Sequence, residues 1–288
     1  MKPRTMRKLT TYVSFVRFSH SVFALPFALI GALLAWRDHP FAWSQVWWIV
    51  LGMVGARSAA MGFNRLVDAK YDALNPRTLM RELPRGALST PEAVAFVVIA
   101  SAVFIFAASR LSTLCAILAP VALAIVFWYS LAKRYTPYTQ LFLGLAMAVA
   151  PAGGWLAAGG RGGWEPWLLG TAIGLWVGGF DVLYACQDLD FDRAHGLRSI
   201  PTAFGVARAI RISRLMHVAT IMAMFALWQA AHLPTLYLVG VVLVGVMLAY
   251  EQSLVSDSDL SQVRKAFDLN GYVGIIYFLA TALSLYLG

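Results

Sequence analysis

Nine apolar runs separated by polar breaks organise this chain: 21–36, 47–63, 93–108, 114–132, 138–158, 167–186, 215–233, 235–250 and 270–288. With their ends extended, each approaches the roughly 20 residues that a helix needs to cross a bilayer. The pattern predicts nine spanning helices, since a lipid-embedded segment must satisfy its own backbone hydrogen bonds. Pro26, Pro120 and Pro151 fall inside spans, where membrane helices tolerate a bend. The APAGGW and GLWVGG stretches allow close helix contacts.

An odd number of spans puts the termini on opposite sides. With the N-terminus in the cytoplasm, the loops after the second, fourth, sixth and eighth spans are cytoplasmic. Of 23 Lys and Arg, only Arg37, Arg110 and Arg161 then fall in external loops, and Arg57 lies within the second span. This bias follows the positive-inside rule. External loops are short. The cytoplasmic stretches 65–92 and 187–212 are long and carry clustered Asp and Arg, while 251–268 reads as a solvated connector.

Composition agrees with that class. The 288 residues are 60% hydrophobic and 13% charged, with a mean hydropathy of +0.69, whereas soluble domains carry roughly 25% charged residues. The net charge of +9 marks one membrane face and argues against nucleic-acid binding. Cys115 and Cys186 sit in or beside apolar runs without a CxxC, and read as small buried hydrophobes. The basic start, MKPRTMRKLTTYVSFVRF, has no clear cleavage site and predicts a retained first span.

Two polar clusters break the apolar pattern. NRLVDAKYD (64–72) spaces Asn64, Asp68 and Asp72 four residues apart, on one helix face. Alone it reads as a metal site, a proton path or a wet helix end, because like charges one turn apart repel without a counterion. The second cluster, DVLYACQDLDFDRAHGLRSIP, places Asp181, Asp188 and Asp192 seven and then four residues apart. They share a face if the helix continues, while Asp190 points away. Asp181 lies within the apolar run, where an ionisable group is costly.

Both clusters end spans on the same side and can face each other. Their oxygens suit Mg²⁺ held partly through substrate phosphates rather than in a complete protein cage. Arg65, Lys70, Arg77, Arg81, Lys133, Arg134, Arg193 and Arg198 are candidate diphosphate-binding cations. Arg57, two turns before Asn64 on nearly the same face, reads as a structural ion-pair partner or as a binder of an acidic acceptor. His20, His195, Tyr71 and Tyr184 read as edge or packing residues rather than direct participants.

RSAAMGFNRLVDAKYDALNPRTLMRELPRGALS, YSLAKRYTPYTQLFLG and DVLYACQDLDFDRAHGLRSIPTAFG resemble the UbiA superfamily of membrane aromatic prenyltransferases. The likeness is strongest to 4-hydroxybenzoate polyprenyltransferases and their neighbours in quinone synthesis. It implies one domain over 1–288: an all-α integral membrane protein, a nine-transmembrane-helix bundle with a central cavity and a cytoplasmic polar cap. It further implies Mg²⁺ on Asn64, Asp68, Asp72, Asp181, Asp188 and Asp192, with Lys133 and Arg134 stabilising the departing diphosphate. The implied partners are a polyprenyl diphosphate, an aromatic acid and membrane lipid, with no required protein partner. The implied setting is a bacterial inner membrane, with the C-terminus external.

The implied reaction joins C1 of an allylic polyprenyl diphosphate to 4-hydroxybenzoate beside its hydroxyl, in ubiquinone synthesis. An aromatic acid of the futalosine-type menaquinone pathway is an alternative acceptor. A transporter is the competing class, and it requires a polar route continuing to the external side.

Overall fold

The computed structural model describes residues 11, 12, 14–16 and 24–287, all of whose regular elements are helical. In chain order they are α1 (Leu25–Trp36), α2 (Trp43–Asp72), α3 (Thr90–Leu111), α4 (Thr113–Ala132), α5 (Thr139–Ala157) and α6 (Glu165–Ala185). A 3₁₀ turn at Cys186–Asp188 leads to the short α7 (Leu189–Ala194) and α8 (Ile200–Phe204). Then follow α9 (Val206–Ala230), α10 (Leu236–Ser253) and α11 (Val263–Leu287). His20 lies outside the described residues.

Eight of the helices are long and apolar enough to cross a bilayer, and α1 is a shorter apolar helix of 12 residues. The first expected span began at Ser21, and residues 21–23 are not described. The other eight expected runs each fall on a long helix. The bundle is therefore an integral, multi-spanning all-α membrane protein.

Local sequence places several boundaries. Ser89 accepts from the Glu92 amide, and Glu92 returns a bond to the Ser89 amide, starting α3 with a capping box. Ser112 caps α4 through the Cys115 amide. No such break interrupts α2, whose 30 residues span about 45 Å. That exceeds the roughly 30 Å hydrocarbon thickness, so the helix carries Asn64–Asp72 beyond the apolar layer.

Helix packing in lipid relies on close contact and buried polar bonds rather than on expulsion of water. A Cβ on Gly154 would lie 1.8 Å from the Ala28 carbonyl oxygen, and one on Gly31 would lie 2.0 Å from that of Pro151. Glycine at these positions lets α1 and α5 touch backbone to backbone. Phe27, Trp176, Tyr237 and Tyr277 fill the core. Trp176 Nε1 donates to Asn270 Oδ1 at 2.6 Å, and Ser213 Oγ donates to the Gly179 carbonyl at 2.7 Å. These bonds tie α9 and α11 to α6, the helix that bears Asp181.

Candidate active site

The C-terminal ends of α2, α4 and α6 and the start of α5 enclose a polar pocket of about 240 Å³. Asn64, Asp68 and Asp72 line one wall, and Asp181, Asp188 and Asp192 line another. The second set reaches the pocket by a different route from the one its spacing predicts. The α-helix does not run on through it: the 3₁₀ turn at Cys186–Asp188 tightens the chain before α7 resumes. Asp190 is exposed and does not line the pocket, in keeping with its opposite direction.

Cations from distant segments neutralise much of this acidity. Lys133 Nζ lies 2.9 Å from Asp68 Oδ2, and Arg134 Nη2 lies 2.8 Å from Asp68 Oδ1. Asn64 Nδ2 also donates to Asp68, at 3.3 Å. Arg81 Nη1 contacts both Asp72 oxygens, at 2.7 and 2.8 Å. Arg77 pairs with Asp188 and donates to the Tyr184 hydroxyl at 3.2 Å. Arg198 also lines the pocket, while its Nη1 donates to the Tyr135 carbonyl at 2.8 Å. Among the described residues, Asp181 and Asp192 take part in no ion pair.

Not every expected cation arrives. Arg65 does not line the pocket; it is buried, with Nη1 4.0 Å from Glu82 Oε2. Lys70 is exposed and also absent from the pocket walls, as is Arg193. The reason is helical: Arg65 follows Asn64 by one residue, and Lys70 follows Asp68 by two, so both turn away from the Asp face. His195 is exposed and stacks on Phe191. Tyr71 lines the pocket beneath Lys133 and Arg134, 5.9 and 5.4 Å from its ring centre.

A second cavity, of about 610 Å³ and largely apolar, adjoins the first among α2, α4 and α5. Tyr129 and Leu143 line both. Arg57 lines the apolar cavity, and its buried Nε has no hydrogen-bond partner. Sequence reasoning missed Tyr129. Its signal is a phenol one helical turn before Lys133, on the same face. At the end away from the polar pocket the walls include Trp48, Leu111, Leu118 and Trp167. These walls are apolar, whereas a transporter requires a polar route that continues across the membrane.

The donor set is made of hard oxygens, and among the described residues no three acidic, His or Cys groups close on one point. That arrangement fits Mg²⁺ completed by water and phosphate oxygens, not a closed protein cage.

Comparison with known proteins places this geometry. The UbiA prenyltransferase family model matches residues 24–281. The 4-hydroxybenzoate octaprenyltransferase of Photobacterium profundum is 31% identical over 235 residues, covering 82% of each chain. The apo structure of a UbiA homologue from Aeropyrum pernix is 36% identical, with a TM-score of 0.84, covering 91% of this chain and 96% of that one. A UbiA homologue from Archaeoglobus fulgidus bound to DMAPP and Mg²⁺ shares the fold at a TM-score of 0.75. It is 18% identical, covering 95% of this chain and 99% of that one. The chain belongs to the UbiA prenyltransferase family, as a multi-spanning membrane transferase of prenyl groups.

Proposed function

We propose that the protein transfers a polyprenyl group from its diphosphate to the ring of an aromatic acid, with 4-hydroxybenzoate as the acceptor and C3 as the site of attachment. One observation carries this reading. A polar pocket faced by two carboxylate sets and their cations shares Tyr129 and Leu143 with an apolar cavity that Arg57 lines. The name of the Photobacterium relative supports the acceptor, and the ligands of the Archaeoglobus homologue support the donor and metal.

In this reading Asn64, Asp68, Asp72, Asp181, Asp188 and Asp192 would hold Mg²⁺ with the diphosphate, where it would offset negative charge growing on the leaving group. Arg77, Arg81, Lys133 and Arg134 pair with Asp188, Asp72 and Asp68, and Arg198 lines the same pocket. On binding they become donors to the diphosphate oxygens, with Lys133 and Arg134 nearest Asp68. Arg65 and Lys70 take no part in this contact.

Tyr129 then stands where the diphosphate pocket meets the apolar cavity, beside the carbon that loses diphosphate. The prenyl tail lies along the apolar walls, which also keep water from the allylic cation. Arg57 pairs with the acceptor carboxylate and holds the ring toward Tyr129. The C1–oxygen bond breaks, the ring carbon beside the hydroxyl bonds to C1, and loss of the ring proton restores aromaticity.

The bundle has nine spans with α1 as the core of the first. Its polar pocket is capped by residues 73–88 on the cytoplasmic face of a bacterial inner membrane, and the whole chain forms one domain. The N-terminus is cytoplasmic and the C-terminus external.

The test is a matrix of prenyl diphosphates of increasing length against 4-hydroxybenzoate and the aromatic acids of menaquinone synthesis. Purified protein is assayed with and without Mg²⁺, and products are weighed by mass spectrometry. Transfer to 4-hydroxybenzoate alone is the expected result. Transfer only to a menaquinone-pathway acid reassigns the acceptor, and no transfer to any ring overturns the reading.

A further inference from the structure

Glu82 sits in the segment joining α2 to α3, directly after Arg81, and is 5% exposed. The two side chains serve opposite sides of that segment. Arg81 reaches into the pocket and grips both oxygens of Asp72. Glu82 does not line the pocket. Its Oε1 accepts from Ser14 Oγ at 2.5 Å, and its Oε2 lies 4.0 Å from Arg65 Nη1. Its backbone carbonyl accepts the amides of Ala87 and Leu88, at 2.9 and 3.2 Å, and so closes the turn. Beside this knot pack Phe15, Val16 and Leu88.

One carboxylate thus joins three separate pieces of chain: the helical turn around Ser14, the body of α2 and the cap over the pocket. A buried ion pair is seldom more stabilising than apolar residues of the same shape, and its best-attested use is to fix register. Here the register in question is that of residues 77–82 against α2. A shift of the segment would carry Arg77 away from Asp188 and Arg81 away from Asp72, because both reach the pocket from this segment. Arg65, turned off the Asp face of the same helix, is the fixed post to which the segment is moored.

We infer that Glu82 is a positioning residue for prenyl diphosphate: it holds the back of the cap to Arg65 and Ser14 so that Arg81 is delivered to the diphosphate side of the pocket. This rests on the diphosphate reading of the pocket given above. Glu82 does not line the pocket, so its effect passes through Arg81.

The experiment is a double-mutant cycle on the purified full-length protein in lipid nanodiscs. Binding of a non-hydrolysable prenyl thiodiphosphate is measured with Mg²⁺ present, for the wild type, Glu82→Gln, Arg81→Gln and the double variant. Glu82→Gln is expected to weaken binding about tenfold, the scale of one weakened hydrogen bond to a charged group. The double variant should bind no more weakly than Arg81→Gln alone. A purely structural role predicts losses that add, and additive losses overturn the inference.

Wild-type affinity in Glu82→Gln, with weakened affinity in Arg81→Gln, overturns the positioning role and leaves the diphosphate reading standing. Wild-type affinity in Arg81→Gln removes the diphosphate reading at this wall, and the inference with it. Should Glu82→Gln fail to fold, Ser14→Ala removes one mooring and keeps the ion pair. It should weaken binding in the same direction, and unchanged affinity there overturns the inference.

Discussion

Lys133 and Asp68 lie 65 positions apart in the chain, yet Lys133 Nζ rests 2.9 Å from Asp68 Oδ2. The Asp68 carboxylate is 6% exposed and is shared with Arg134. The contact joins the last turn of α2 to the end of α4. It gives the Asp68 carboxylate two counterions from within the chain.

Lys133→Met should lower the transfer rate by roughly 100-fold, the scale seen when one preorganised donor to developing negative charge is removed. Asp68→Asn should do at least as much, because it removes an oxygen of the proposed metal site and strands Lys133 and Arg134. Single-turnover rates at saturating prenyl diphosphate measure both effects. Near-normal rates in either variant would count against the two-cluster site.

Arg57→Gln should raise the acceptor KM about tenfold or more, since a bond to a charged group contributes about 1.5–3 kcal/mol. The KM for prenyl diphosphate should stay unchanged. Thermal stability should not fall, because the buried Arg57 Nε has no hydrogen-bond partner to lose. A lower Tm with an unaltered acceptor KM would recast Arg57 as a structural residue.

Neighbouring glycines should respond in opposite ways. A Cβ at Gly154 would lie 1.8 Å from the Ala28 carbonyl oxygen, whereas one at Gly153 meets nothing within 4 Å. Gly154→Ala should therefore push α1 from α5 and cost roughly 1–3 kcal/mol. Gly153→Ala should leave stability unchanged or slightly higher, as alanine favours helix. Thermal unfolding of the two variants in the same detergent is the comparison, and equal Tm values would contradict the packing described.

Chelation of divalent cations should abolish transfer and leave the fold intact. Asp68, Asp72 and Asp188 already have Lys or Arg partners, which leaves only Asp181 and Asp192 of the pocket carboxylates without an ion pair among the described residues, too small a repulsion to part the helices. Activity and Tm read together after chelation give the answer. A large drop in Tm would make the metal structural.

Much of the site was legible because helical period acts over a few residues. Asn64, Asp68 and Asp72 share a wall of the pocket as their four-residue spacing requires, and Asp190 turns out of it. Asp181, Asp188 and Asp192 also meet, though through a 3₁₀ turn that no spacing rule indicated. Charge type alone does not separate Arg65 and Lys70, which do not line the pocket, from the cations that do. Tyr129 went unnoticed because a phenol in an apolar run looks like packing until the two cavities are seen to share it.

The sequence by itself determined the helices, their membrane setting and the polar face at the end of α2. Apolar run length, helical period and the bias of basic residues are all properties of residues close together in the chain. Only the tertiary structure decided which charges meet. Arg77 and Asp188, 111 positions apart, meet at the pocket wall, while Arg65 is turned back to Glu82. Those pairings depend on how helices lean on one another, and on glycines that let backbones touch, which no local pattern encodes.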